Sequence, residues 1–542
     1  FQYFRDPTVA IENTHPCAER LCAALIVPRL VKELEELAGA TGDPSRDTSH
    51  TLRVAFKILF RLTRAHMPCA LANELPQIVR SVENVCASCV FSKNVLSPEC
   101  WIAVKRGLKL GASLLTRHAD VLDAVSVTKL VHAAKSIASI APGSNTPPPQ
   151  VTAAAFALLR AALDRRSTRD ALVPDLVGAK DDKTRESSRR VLLALFVRDC
   201  VLPHVSLTAE DRDGLFNDPE EYARANACGE ARCDGDSMEE CLDGGDAGGV
   251  TARNAALDFL EHLAVVSFES TEAVKQKPAK KQKKEKKITQ EGDEVDEDNG
   301  NSKPTLGELA ARDVMDVLLS KAPKGKVEKV GKAAAASGVT IAHVAPMAEA
   351  ALGESAYFGL LRVMGALTSA SHKAKESATR QFLRKHAFPA VAAAASPHVV
   401  VAAACHLAAV STKITTPVVA REAFSALVAS LERPTPEAID AEDEDKVEEA
   451  WRVTRDAASW AARAVCAEAP CADEAFGVAS SEATVCLAER LVALAEKNPA
   501  KGAAPLRALA GLAEAATSAI ATVTAAVLAA RIVHAYAEVF PN

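Results

Sequence analysis

Cysteine and histidine are the side chains best equipped for chemistry here, and their spacing limits what each can do. Cys86-Ala-Ser-Cys89 sets two thiols three residues apart, the spacing of half a zinc site or of a thiol–disulfide pair. A zinc site needs a second Cys or His pair at matching distance, and a redox pair needs a βαβ setting. The sequence offers neither, so both thiols read as small apolar members of a helix. Cys228, Cys233 and Cys241 could ligate a metal, but they lie among Gly and Asp without a histidine and read as flexible filler. His66, His118, His204, His262, His386 and His406 occur singly, with no Ser/Asp or Cys partner at a spacing that pairs a nucleophile with its base. Gly331-Lys332 lacks the upstream glycine and the hydroxyl of a phosphate-cradling loop. The expectation is no enzyme, no cofactor and no metal.

Charge clusters are the next candidates. Glu291, Asp293, Glu294, Asp296, Glu297 and Asp298 follow a run of eight lysines between 275 and 287. Glu442, Asp443, Glu444 and Asp445 lie ahead of Trp451 and are expected to open the helix that runs to Cys466. Both acidic sets are candidate contacts for basic protein partners. The lysine run has the composition of a nuclear-localisation or RNA-binding patch, but a solvated charge run partly neutralised by the adjoining acids is the preferred reading.

The elements that must position these residues are helices. The chain has 542 residues, 48% apolar and only 4% aromatic, with alanine the commonest type. Alanine is the best helix former and is depleted in strands. In 51–66 the apolar Leu52, Phe56, Leu59 and Phe60 recur with helical spacing, with Arg53, Lys57, Arg61 and Arg64 on other faces. In 101–117 the stripe is Trp101, Val104, Leu108, Ala112 and Leu115, with Lys105, Arg106 and Lys109 outside. Ser97-Pro98, Ser396-Pro397 and Thr416-Pro417 pair a capping hydroxyl with proline at the first helical position. Helix pairs recurring at about 40 residues mark HEAT or armadillo arrays. The expected fold is therefore all-α: an α-α superhelix, a HEAT/armadillo-like solenoid with disordered charged inserts.

The inserts divide the chain into a front array (1–226), an acidic Gly/Cys loop (227–250), a connecting helix (251–270), a Lys-rich and acidic insert (271–303) and a rear array (304–542). A solenoid keeps one continuous core, so these are not independent domains. The net charge of -6 argues against a general nucleic-acid binder. With the lysine run set aside, the folded arrays are expected to be more acidic than the total. Cys22, Cys200, Cys405, Cys466 and Cys486 sit in apolar stretches, which reads as a reducing compartment without disulfides. The weakly polar 515–530 stretch is shorter than the roughly 20 residues a membrane span needs, so no membrane insertion is expected. The chain starts at Phe1 and ends at Asn542 without a clear stop, and reads as a piece of a longer protein.

Specific segments resemble the importin-β superfamily of nuclear transport receptors, within it the importin seven/eight branch. The most specific is Val201-Leu202-Pro203, an acidic Glu210-Asp211 turn, then Phe216-Asn217-Asp218-Pro219-Glu220-Glu221-Tyr222-Ala223-Arg224. The family has an aromatic, Asp-Pro, Glu-Tyr and Arg in this order after a similar apolar-Pro step. Gly359 through Leu367 with His386-Ala387-Phe388-Pro389, and Glu99-Cys100-Trp101 through Leu115, add further similarity. The resemblance implies a receptor that carries basic cargo, such as ribosomal proteins or histones, through the nuclear pore, shuttling between cytoplasm and nucleus. The small GTPase Ran would control cargo release, mainly through regions outside this chain; nuclear pore proteins are implied partners, and no direct nucleic acid is. An exportin of the same superfamily and a non-transport HEAT scaffold are the alternatives. The sequence departs from the family after Arg224, in the 275–303 insert, and at Ala402, Ala403, Ala404 and Cys405, where the family has aromatics. The Asp218–Tyr222 segment is expected to be ordered, with Tyr222 packed against neighbouring helices.

Overall fold

The computed structural model describes residues 26–38, 45–64, 67–92, 96–140, 146–165, 168–169, 196–218, 222, 251–265, 353–369, 380, 382–393, 396–412, 414, 416–435, 444–477, 481–497 and 503–515. These contain no strand. The main helices are α1 (Val27–Ala38), α2 (Arg46–Leu62), α3 (Leu75–Phe91), α4 (Pro98–His118), α5 (Ala124–Ala138), α6 (Pro149–Asp164), α7 (Ala209–Asn217), α8 (Ala252–Val265), α9 (Glu354–Ser369), α10 (Pro397–Ser411), α11 (Pro417–Glu432), α12 (Glu444–Glu468), α13 (Ser481–Lys497) and α14 (Ala503–Ala515). Wide π turns at Val197–Val201 and Leu383–Ala387 lead into the short helices Leu202–Val205 and Phe388–Ala393.

Packing sorts them into two rows. In one row each helix lies against the next: α2, α4, α6, α8, α9, α10, α12, α14. Behind it run α1, α3, α5 and Val197–Val201, and then Phe388–Ala393, α11 and α13. From α2 to α8 and from α10 to α14, helices two apart in sequence are thus side by side, which is how stacked hairpins share a core. One apolar core runs from Val31 through Phe156, Phe259, Phe358 and Phe424 to Leu512.

Small residues set the spacing. On α6, Ala153, Ala154, Ala155 and Ala162 are fully buried, and a Cβ on Gly111 of α4 would lie 2.7 Å from Leu158 Cδ1. At the far end a Cβ on Gly511 of α14 would lie 2.8 Å from the Arg463 Cα of α12, so the two backbones approach too closely for any side chain there.

Helices do start at Pro98, Pro397 and Pro417, but only one of the three expected hydroxyl caps forms. Ser97 accepts from the Cys100 amide at 3.4 Å, whereas Ser396 and Thr416 make no capping bond; Ser396 Oγ donates instead to Glu354. Lys109, expected outside, is 8% exposed, because α4 is covered by α2, α6, α3 and α5 together. The connecting helix is α8. The 271–303 insert and the 227–250 loop lie outside the described residues.

Candidate functional site

The segment that carries the Asp-Pro-x-Glu-Tyr resemblance behaves unlike the stacked hairpins. α7 opens with a reciprocal capping box: the Asp211 amide donates to Thr208 Oγ1 at 3.1 Å, and the Thr208 amide to Asp211 Oδ2 at 2.8 Å. At its end the Asp218 amide donates to Gly214 O at 2.8 Å, and the Tyr222 amide to Asp218 O at 3.0 Å. Leu215, Phe216 and Tyr222 turn to one side. There they meet Val401 and Cys405 of α10 and Ala450 and Val453 of α12, in an apolar cluster separate from the main core. Tyr222 is 5% exposed. The segment precedes α8 in sequence, yet it packs three helices further along the row. It is a strap.

Polar groups fasten the strap. Arg253 of α8 donates to both oxygens of Asp211, at 2.8 Å to Oδ1, and to Ser206 O at 3.2 Å, with its guanidinium 5.1 Å from the Phe358 ring centre. Burial pulls Asp211 towards its neutral form, but the Arg253 hydrogen bonds and charge outweigh this and hold its carboxyl below the ordinary range. His398, at the start of α10, is 2% exposed. Its Nε2 lies 3.3 Å from Asp211 O and its Nδ1 3.2 Å from Glu354 Oε1, so the ring joins α7 to α9. Phe216 and Tyr222 meet the same ring edge-on, with centroids 5.9 and 5.6 Å away. The His398 hydrogen bond, ahead of that from Ser396 and the Arg212 charge, outweighs burial and lowers the Glu354 carboxyl to about 2. Burial pushes the Tyr222 phenol well up. The hub holds itself together; it presents no nucleophile beside a base.

Of the residues expected from sequence, Phe216, Asp218 and Tyr222 come together in the strap. Pro219, Glu220, Glu221 and Arg224 lie outside the described residues, as do Glu291, Asp293, Glu294, Asp296, Glu297, Asp298, Glu442 and Asp443. Glu444 and Asp445 form the exposed first turn of α12, as the acidic run ahead of Trp451 leads one to expect. Sequence reasoning missed Asp211's pairing with Arg253, and it missed His398 and Glu354 altogether. Their partners lie 42 to 187 residues away, and no local spacing signals them.

Cys228, Cys233, Cys241 and His66 lie outside the described residues, whereas Cys86, Cys89 and the other candidate histidines are set among the packed helices. Cys86 and Cys89 are 1% and 2% exposed, and burial, then the charges of Cys89 and Glu83, push the Cys86 thiol far above its ordinary value; it stays protonated. The described cysteines are free thiols, and the described residues hold no group of three or more His, Cys, Asp or Glu placed to bind a metal. His118 and His204 tie adjacent repeats through Thr63 O (2.6 Å) and Ala138 O (2.7 Å), and His262 meets Asp164 at 2.8 Å. His406 is fully buried, with neither ring nitrogen hydrogen-bonded among the described residues. Burial lowers it to about 3, and burial with the Lys385 charge lowers His386 to about 4. No described helix is long and apolar enough to cross a membrane.

No family model matches this chain, and no curated protein does. Among solved structures it is similar to Lph2, described as a bidirectional nuclear transport receptor of S. cerevisiae, with a TM-score of 0.51 and 12% identity. The likeness is one of fold. It covers 96% of this chain and 44% of Lph2, so this chain spans less than half of that receptor's length. The two-row stack is thus an all-α, HEAT-like superhelix of the kind a nuclear transport receptor uses.

Proposed function

We propose that this chain is part of a nuclear transport receptor of the importin-β superfamily, similar to the importin seven/eight branch, and carries basic proteins such as ribosomal proteins or histones through the nuclear pore. The fold shared with Lph2 over 96% of the chain is the observation that carries this reading. A stack of hairpins exposes a long adaptable surface suited to large cargo. The exposed Glu444 and Asp445, with Glu442 and Asp443 beside them in sequence and the separate 291–298 acids, offer charge of the right sign for basic cargo, with fast, salt-sensitive encounter. Ran acts mainly through parts of the receptor outside this chain, nuclear pore proteins are further partners, and the receptor shuttles between cytoplasm and nucleus. The strap is structural in this reading, holding a set curvature between α8 and α12.

The test is binding of the full natural protein to Ran loaded with GTP or GDP, with a core histone as basic cargo. Preference for the GTP form and loss of histone on its binding support an importer. Gain of cargo with the GTP form indicates an exportin, and no nucleotide preference would sink the transport reading in favour of a scaffold.

A further inference from the structure

We propose that α2 presents a docking stripe for an acidic segment of a partner protein. Arg46, His50, Val54, Lys57 and Arg61 recur at intervals of three or four residues, and Arg64 continues the line just past the helix end; all six are exposed. Such spacing puts them on one face, and at 1.5 Å per residue the stripe is about 27 Å long. Helix α2 carries one acid, Asp47. Flanking Arg53 pairs with Glu99 of α4 at 3.2 Å, but Arg46, Lys57, Arg61 and Arg64 have no ion-pair partner among the described residues. This face is basic, although the folded arrays are expected to be acidic in total. It presents a row of uncompensated cations that attracts anions at a distance and is screened by salt.

The apolar residue in the stripe decides the kind of anion. Val54 is 40% exposed midway along it, where a peptide side chain gains by covering it and a sugar–phosphate backbone does not. The stripe carries no aromatic on which a base could stack, and the net charge of -6 disfavours a long polyanion elsewhere on the molecule. A segment of about eight extended residues spans the stripe, with carboxylates over the cations and one apolar residue against Val54. This stands on the geometry of α2 and does not depend on the transport reading, since the acidic surfaces invoked there lie on α12 and the inserts.

Binding of a synthetic 18-residue Glu/Asp/Leu peptide to the whole 542-residue chain, followed by fluorescence anisotropy, tests it. Lys/Leu peptide and 15-nucleotide single-stranded DNA are the comparisons. Expected are saturable binding of the acidic peptide and none of the basic one, weakening as salt rises. A loss of at least tenfold is expected in Lys57→Glu/Arg61→Glu, and a smaller loss in Val54→Asp. The charge-neutral Lys57→Gln/Arg61→Gln gives an intermediate loss and keeps the test informative if charge reversal disturbs folding, as read by circular dichroism. Peptide affinity unchanged in folded variants overturns the proposal. So does absent binding, or DNA that binds more tightly than peptide with the same loss, which would make the stripe a nucleic-acid surface.

Discussion

The α4–α6 interface and the hub around His398 hold the same stack by different means. Between α4 and α6, Gly111 faces Leu158 and a run of buried alanines brings the helices together through small apolar contacts, with Lys105 donating to Gln150 Oε1 at 2.7 Å on the exposed side. At the hub, an arginine–aspartate pair, a histidine and a glutamate sit where apolar residues would suffice, and join α7, α8, α9 and α10. The first kind of contact is local, repeated and tolerant of substitution by residues of similar size. The second is assembled from distant parts of the chain and fails if one partner is removed, because the other is left desolvated.

The comparison breaks hardest in the dry core. Phe156, 1% exposed and set between Phe259 and His204 with centroids 5.8 Å away on both sides, should cost about 3–5 kcal/mol as Phe156→Ala, read as a fall in the denaturant midpoint. At the hub, Arg253→Met should cost about 3 kcal/mol by stranding Asp211. Adding Asp211→Asn should recover much of that loss, and a double-mutant cycle without coupling would show the pair to be idle.

The buried histidines predict acid sensitivity. Their folded values, about 4 for His386 and about 3 for His406, lie below the ordinary 6.5. The unfolded chain therefore takes up protons first as pH falls below 6.5. Stability is fully present above that value and is lost as pH falls to about 4 for His386 and about 3 for His406, by about 1.4 kcal/mol per pH unit for each group. His406→Leu should flatten the acid limb in urea titrations between pH 6 and 4, and an unaltered slope would refute it. Glu354 titrates in a lower window: its depressed value favours the fold above the unfolded pKa of about 4.3, and this is lost as pH falls to about 2. Since the carboxyl is partly solvated, Glu354→Gln should cost at most about 1 kcal/mol at pH 7. The smallest effect is at the rim, where Arg490 grips Glu432 through two bonds of 2.6 Å. Arg490→Ala should shift stability by about 0.5 kcal/mol, and by less in high salt.

Repetition was legible in the sequence because apolar spacing and N-terminal prolines are local signals: spacing marked the buried faces of α2 and α4, apart from Lys109, and prolines marked the starts of α4, α10 and α11. The strap was legible only in part. Phe216 and Tyr222 stood out as a motif, but the hub partners Arg253, Glu354 and His398 become meaningful only once folding brings them to Asp211. Ser396 shows the limit of local reading: its place before Pro397 marks a cap, while tertiary structure gives its hydroxyl to Glu354.

The strap also changes how the stack can deform. Superhelices flex by small rotations summed over many neighbouring pairs, like a spring whose coils share the strain. Because α7 and Tyr222 reach past their own neighbours to α10 and α12, the stretch from α8 to α12 is splinted. Bending is then expected to concentrate on the turns on either side, with this stretch as a stiffer segment between them.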